Sequence, residues 1–317
     1  MSPVTICTLW EKDYHKALGT FVNSLARVGY RGRVWAGYRG PLPPWAGGGL
    51  VENDIYRLPI AAGIELMFCK LNVRIHFAQY KALWMTRVLT ELEPAAQGIY
   101  YFDPDIFVLT NWTFFERWLA CGIAACEDVN YPINPTHPIV RMWERFAEKS
   151  GYTHWNPPKV YLNSGLLGIT RHNQSLLKEW QIVQDAMQKN FGVESVLKTG
   201  TRADMFHATD QDALNVAMAV SDYPVAWIGL DGMGFGPDEH AEWLTLHALS
   251  KPWRRRIFRD LLFEGHRPDA ALCRYWDLAG GPIQVEPRSR VRGHRFYIPV
   301  ATLLARFYSR PGRLLSS

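Results

Sequence analysis

Ile99-Tyr100-Tyr101-Phe102-Asp103-Pro104-Asp105-Ile106-Phe107-Val108-Leu109 is an apolar, aromatic run interrupted by two carboxylates. Apolar residues on both sides of the break predict a buried strand that runs out to a sheet edge. Pro104 has no backbone N–H to give to a ladder, so pairing should stop there and leave Asp103 and Asp105 at a strand end. At a rise of about 3.3 Å per residue, positions i and i+2 lie roughly 6.6 Å apart and point the same way, near enough to share one hard divalent cation. Two readings of the tripeptide alone stay open: a metal site, or a strand-end turn with two solvated carboxylates.

Outward from this stretch, the chain reads as alternating strands and helices. Val4 to Leu9 predicts a strand, and Tyr14, Leu18, Phe21, Val22, Leu25 and Val28 recur at helical spacing until Gly29. Arg33 to Tyr38 and Asp54 to Leu58 predict strands on either side of a Pro/Gly loop at Pro41 to Gly49, and Met67 to Leu92 reads as one long helical region. Past the Asp pair come a helix at Trp112 to Leu119, a strand at Gly122 to Cys126 ending on Glu127-Asp128, and an excursion over the site at Asn130 to Pro158 with a helix from Ile139 to Lys149. Val160 to Ile169 returns as a strand, Ser175 to Lys189 is helical, Asp210 is placed to cap a further helix, and Pro224 to Ile228 is a last strand. This alternation implies an α/β fold with a mainly parallel central sheet flanked by helices, where ligands bind beyond the carboxyl ends of strands.

Composition sets the class. The 317 residues are 48% hydrophobic and 13% aromatic, ample for a large core and against disorder. Five scattered cysteines without Cys-x-x-Cys spacing suggest neither a disulfide framework nor a zinc knuckle, and fit a reducing compartment. The start of the chain lacks the pattern of a signal peptide, and no run approaches the length of a membrane span, so a cytoplasmic protein is expected. Net charge is +5, yet from Lys251 onward 14 Lys/Arg face 5 Asp/Glu, which leaves the first 250 residues net negative.

Six stations in order, over roughly residues 4 to 253, resemble retaining glycosyltransferases of family 8, which have the GT-A nucleotide-diphospho-sugar transferase fold and include glycogenin and bacterial lipopolysaccharide galactosyltransferases. They are Thr8 to Tyr14 with Ser24-Leu25, Tyr101 to Asp105, Ala124 to Asp128, Leu162-Asn163-Ser164-Gly165, Asp210-Gln211-Asp212-Ala213-Leu214-Asn215, and His247 to Trp253. The resemblance implies a catalytic domain over residues 1–265, with a nucleotide-sugar half at about 1–110 and an acceptor half at about 111–265, followed by a basic, aromatic extension at 266–317. It implies that Thr8, Leu9 and Tyr14 meet the nucleoside of a UDP-type donor, that Tyr14 stacks on the base unless it is a core residue, and that Lys81 lies near the donor, with Arg74 and Arg87 as competitors. Asp103, Asp105 and His247 would hold Mn²⁺ or Mg²⁺ on the diphosphate, and Lys251 of Lys251-Pro252-Trp253 would contact it. The segment from His247 to Lys251 is two residues shorter than the family pattern and lacks its Gly, so His240 competes with His247. The centre of Asp103-Pro104-Asp105 is also less usual.

By the same resemblance Asp128, Asn163, Asp210 and Gln211 surround the donor sugar, with Gln211 either a nucleophile or a support for front-side attack. Asp210 as a helix cap and Asn163 as a turn amide are the plain alternatives. Trp112, Trp118, Trp143, Trp155, Tyr131, Tyr152 and His154 crowd the acceptor side, as stacking platforms for a carbohydrate or as core. The tail from Arg288 to Arg310 mixes cations with aromatic residues, which suits an anionic membrane at the inner face and a lipid-linked acceptor, or a packed helix with a basic face. No nucleic-acid fold signature accompanies it. Two other functions compete: a silent sugar-nucleotide or glycan binder on the same fold, and a metal-dependent phosphodiesterase.

Overall fold

Val4–Glu11 alternates between two interiors: Ile6 and Trp10 point to one and Cys7 and Leu9 to the other, and all four are buried. A strand buried on both faces belongs in the middle of a three-layer α/β/α arrangement, and the computed structural model has that form. It describes residues 3–61, 63–193, 196–235 and 243–308.

The elements are β1 (Val4–Glu11), α1 (His15–Arg27), β2 (Gly32–Arg39), β3 (Leu50–Glu52), β4 (Ile55–Ala61), β5 (Ile64–Lys70), α2 (Phe77–Arg87), β6 (Gly98–Phe102), β7 (Ile106–Val108), α3 (Trp112–Ala120), β8 (Ile123–Glu127), α4 (Pro138–Lys149), β9 (Leu162–Thr170), α5 (Ser175–Phe191), α6 (Thr209–Ala219), β10 (Val225–Ile228), β11 (Met233–Gly234), β12 (Thr245–His247), α7 (Ile257–Glu264), α8 (Ala270–Leu278) and α9 (Arg288–Tyr308). Nine strands form one sheet in the order β10-β8-β9-β6-β1-β2-β5-β4-β3, and β11-β12-β7 form a second. One core packs the large sheet against α1, α3, α7, α8 and α9, and the other packs it against α2, α4, α5 and α6.

The sheet is mixed, not mainly parallel. β6, β1, β2 and β5 pair in parallel and so do β10 and β8, but β9 is antiparallel to both its neighbours, and β4 to both of its own. Residues 128–161, which carry α4 onto one face of the sheet, connect β8 to an antiparallel β9. The hairpin between β4 and β5, with Gly63 at φ +85°, reverses the chain in the same way. β5 also corrects the expected helix at Met67 to Leu92: Met67 to Lys70 is strand, and α2 begins only at Phe77. Leu66-Met67-Phe68-Cys69 is a short continuous apolar run, and in such a run periodicity does not separate a buried strand from a helix.

Because β9 runs against its neighbours, the start of β9 and the ends of β1, β6 and β8 share one edge. All the singled-out polar residues of those strands lie there. Of the two alternatives for Trp112, Trp118 and Trp143, acceptor platform or core, the structure shows core, at 3%, 6% and 0% exposure.

Candidate metal and sugar site

β6 ends at Phe102, paired with Leu166 of β9, and the Asp103 N–H donates to Gly165 O at 2.7 Å. Ile106 N–H then donates back to Asp103 O at 3.1 Å, a tight turn that Pro104 suits because no donor is needed from it. The chain continues as β7, antiparallel to β12 with Ile106 opposite His247, and Ala248 N–H donates to Asp105 O at 2.8 Å. Strand register thus delivers His247 beside Asp105 without the longer loop that the family pattern has. His240 lies outside the described residues.

Asp103, Asp105 and His247 each offer one ligand atom, and these atoms all lie within 4.8 Å of one another. His247 Nε2 is 3.4 Å from Asp105 Oδ1, and Lys251 Nζ donates to Asp105 Oδ2. Burial opposes ionisation of Asp105, but His247 and Lys251 overcome it and hold its carboxyl well below the ordinary carboxylate range. Burial likewise opposes the charge on Lys251, and Asp105 more than restores it, so its pKa is raised. Lys251 adopts φ +48°, a left-handed conformation that an unbranched side chain takes only when its surroundings hold it there. Asp103 Oδ1 accepts from Tyr101 Oη at 2.9 Å and lies 3.3 Å from Lys81 Nζ. Its Oδ2 lies over Gly165, where a Cβ would come within 2.7 Å of it.

Lys81 joins this cluster to a second one. Its buried Nζ also meets Asp210 Oδ2 at 3.2 Å and donates to Ser164 O at 3.2 Å. Burial works against its charge, but Asp103 and Asp210 raise its pKa. The competitors are placed elsewhere: Arg87 pairs with Glu91 at 3.3 Å, and Arg74 is exposed. Ser164 Oγ donates to Asp210 Oδ2 at 2.7 Å, and Ser164 N–H donates to Gln211 Oε1 at 3.0 Å. Gln211 Nε2 and Asn163 Nδ2 both donate to Asp128 Oδ2 at 3.0 Å. Asp210 is not the helix cap that the sequence suggested. Ala208 occupies that position without a side-chain bond, and Asp210 sits inside the first turn of α6 with its carboxylate turned to Lys81 and Ser164.

Tyr14 lies at the rim and not in the core, with Lys251 Nζ 5.1 Å and the Arg254 guanidinium 5.6 Å from its ring centroid. Asp13 anchors this corner by accepting from Trp253 Nε1 at 2.8 Å and from both nitrogens of the Arg254 fork at 2.6 Å. Thr8 and Leu9 are buried in β1 at 0% and 4% exposure, so neither presents surface to a ligand. Three residues of the site were quoted within the stations but given no role: Tyr101, Ser164 and Gly165. For Ser164 and Gly165 the available signal was a serine and a glycine following Asn163 at a strand start.

No protein-family model matches the chain, and no curated protein matches it. The geometry therefore stands by itself. Two carboxylates and an imidazole form a hard donor set suited to Mn²⁺ or Mg²⁺. Beside it stand a buried lysine, a half-buried lysine, and a patch of carboxylate and amide groups of the kind that holds hydroxyls.

Proposed function

We propose that the chain is a metal-dependent glycosyltransferase that moves a sugar from a nucleoside diphosphate sugar to an acceptor hydroxyl with retention of configuration, on a GT-A-type fold. The observation that carries this reading is the convergence of Asp103, Asp105 and His247 within 4.8 Å, next to Lys251 on one side and the Asp128–Asn163–Gln211 cluster on the other. When bound, the divalent ion supplies Lewis-acid stabilisation of the diphosphate leaving group. Lys251 swings from Asp105 to a phosphate oxygen and provides a fixed cation there. Asp128 and Asn163 take the sugar hydroxyls, while Lys81 keeps Asp103 and Asp210 in place.

The anomeric carbon loses its bond to the phosphate oxygen, the electron pair stays on the diphosphate, and positive charge develops on the sugar ring. The acceptor oxygen forms the new bond, and its proton passes to the departing phosphate oxygen. Gln211 has both amide atoms engaged, with Asp128 and with Ser164, which favours a positioning role and front-side attack over nucleophilic attack. A uridine base at the end of β1 beside Tyr14, a glycan or lipid-linked acceptor, and a cytoplasmic location belong to the same proposal.

One observation favours a second reading, a sugar-nucleotide binder without turnover: Lys251 is paired with the carboxylate of Asp105 that a metal would share. Incubation with a panel of nucleotide sugars and Mn²⁺ separates the possibilities. Mn²⁺-dependent release of the nucleoside diphosphate, by transfer or slow hydrolysis, supports the transferase. Binding without release supports the silent binder, and release of a nucleoside monophosphate would mean phosphodiester chemistry.

A further inference from the structure

Helix α9 buries one stripe and exposes another. Val291, Ala301 and Ala305 are buried at 6%, 0% and 4% exposure in the core that α7 and α8 share, and Ile298 packs beside them. Phe296, Leu303 and Phe307 are 68%, 56% and 79% exposed. At about 100° per residue these three fall within roughly 40° of one another on the outward side of the helix. Arg288, Arg292, Arg295 and Arg306 run along one flank of that stripe, and none of them forms an ion pair with a described residue. No Asp or Glu follows Glu286 in the sequence. On α7, which packs against α9 through Phe258 and Tyr297, Leu262 and Phe263 are 50% and 84% exposed.

Large apolar side chains grouped on a surface mark an interaction site, and the charge beside them selects the partner. A second copy docking through the same face would bring two rows of arginines together. A nucleic acid would satisfy the arginines but leave Phe296, Leu303 and Phe307 in water. An anionic bilayer satisfies both, because guanidinium groups reach the headgroup phosphates while the rings and the leucine enter the boundary with the acyl chains. We propose that the outward face of α9 is a docking surface for an anionic lipid bilayer. This inference does not use the metal site, so it stands or falls independently of the transferase reading.

The test is flotation of the full chain with vesicles of phosphatidylglycerol and phosphatidylcholine, against vesicles of phosphatidylcholine alone. The intact chain is expected to float with the anionic vesicles only, less so at high salt. A Phe296→Ser/Leu303→Ser/Phe307→Ser variant should lose at least tenfold in binding at an unchanged melting temperature, since all three side chains face solvent. If that variant does not fold, Arg288→Gln/Arg292→Gln/Arg295→Gln/Arg306→Gln provides the second reading and should lose the preference for anionic lipid. Failure of the intact chain to float at low salt would overturn the proposal, as would unchanged binding by either folded variant. Binding to a nucleic-acid duplex in place of vesicles, or a concentration-dependent dimer abolished by the apolar variant, would overturn it in favour of those partners.

Discussion

Asp105 is pulled in two directions, because the carboxylate that a metal would take also lies against the half-buried His247 imidazole and pairs with Lys251. Asp105→Asn should therefore abolish Mn²⁺ binding and also lower stability without metal, by about 3 kcal/mol, the cost of leaving a partly buried cation unpaired. Urea denaturation in the presence of a chelator reads the second effect apart from the first. Gly165→Ala makes a cleaner probe. Its Cβ would meet Asp103 Oδ2 at 2.7 Å and Asn163 Oδ1 at 2.9 Å, so Mn²⁺ affinity should fall by tenfold or more in calorimetry while Asp103 itself is still present. Asp212 gives the pH dependence. Burial pushes its carboxyl up to about 7, against the hydrogen bonds it accepts from Tyr161 and the His207 N–H and with Asp210 adding to the rise. An unfolded carboxyl titrates near 4, so between about pH 4 and 7 the folded chain holds a proton that the unfolded chain has released. That contribution favours folding in acid and is lost as pH rises through about 7. Asp212→Asn should lose less stability between about pH 5 and 8 than the parent, as read by melting temperature. The candidate ligands were legible because carboxylates and a histidine at set positions are chemically conspicuous. The role of Ser164 was not, because its hydrogen bonds run to Asp210 and Gln211 of α6, which only the fold brings beside the start of β9.

Among the elements, the direction of β9 decides the site. An antiparallel β9 puts Asn163, Ser164 and Gly165 at the same edge as Asp103 and Asp128, and Lys81 from α2 closes the gap to α6. Lys81→Met should cost about 3–5 kcal/mol, because the half-buried Asp103 and the buried Asp210 would remain without their cation. Lys81→Arg should not rescue it fully, since a planar fork cannot replace a point charge among four closely set oxygens. Guanidinium denaturation of the three proteins checks both statements. The strands and helices around the Asp pair were legible from their periodicity. The reversed β9 was not, since alternating elements on their own suggest parallel crossovers. β5 was missed because a four-residue apolar run carries no period.

At the scale of the whole molecule, residues 266–308 are tied to α1 by side chains far apart in sequence. Asn23 of α1 donates to Leu278 O and Ile283 O and accepts from Ile283 N–H, each at 2.8 Å, and Lys16 pairs with the buried Glu286 at 2.7 Å. Asn23→Ala removes three buried hydrogen bonds and should destabilise the chain by about 2–4 kcal/mol, with α8 and α9 gaining hydrogen-exchange rate along with α1. Such ties were not legible, because an asparagine inside an amphipathic helix looks like any polar position until the partner backbone is in place. Among the described residues no helix is long and apolar enough to cross a membrane.

The central claim is that Asp103, Asp105 and His247 hold a divalent ion that brings in a nucleoside diphosphate sugar. The most direct measurement is the thermal shift of the intact chain with nucleoside diphosphates and their sugars, with and without Mn²⁺, beside Asp103→Asn/Asp105→Asn. A ligand that binds only the folded state raises the melting temperature by mass action, the more so the further its concentration exceeds its Kd. The account predicts a shift by one nucleotide class that needs Mn²⁺ and disappears in the double variant. A nucleotide shift that persists without Mn²⁺ and in the double variant, or no shift with any nucleotide, would contradict it.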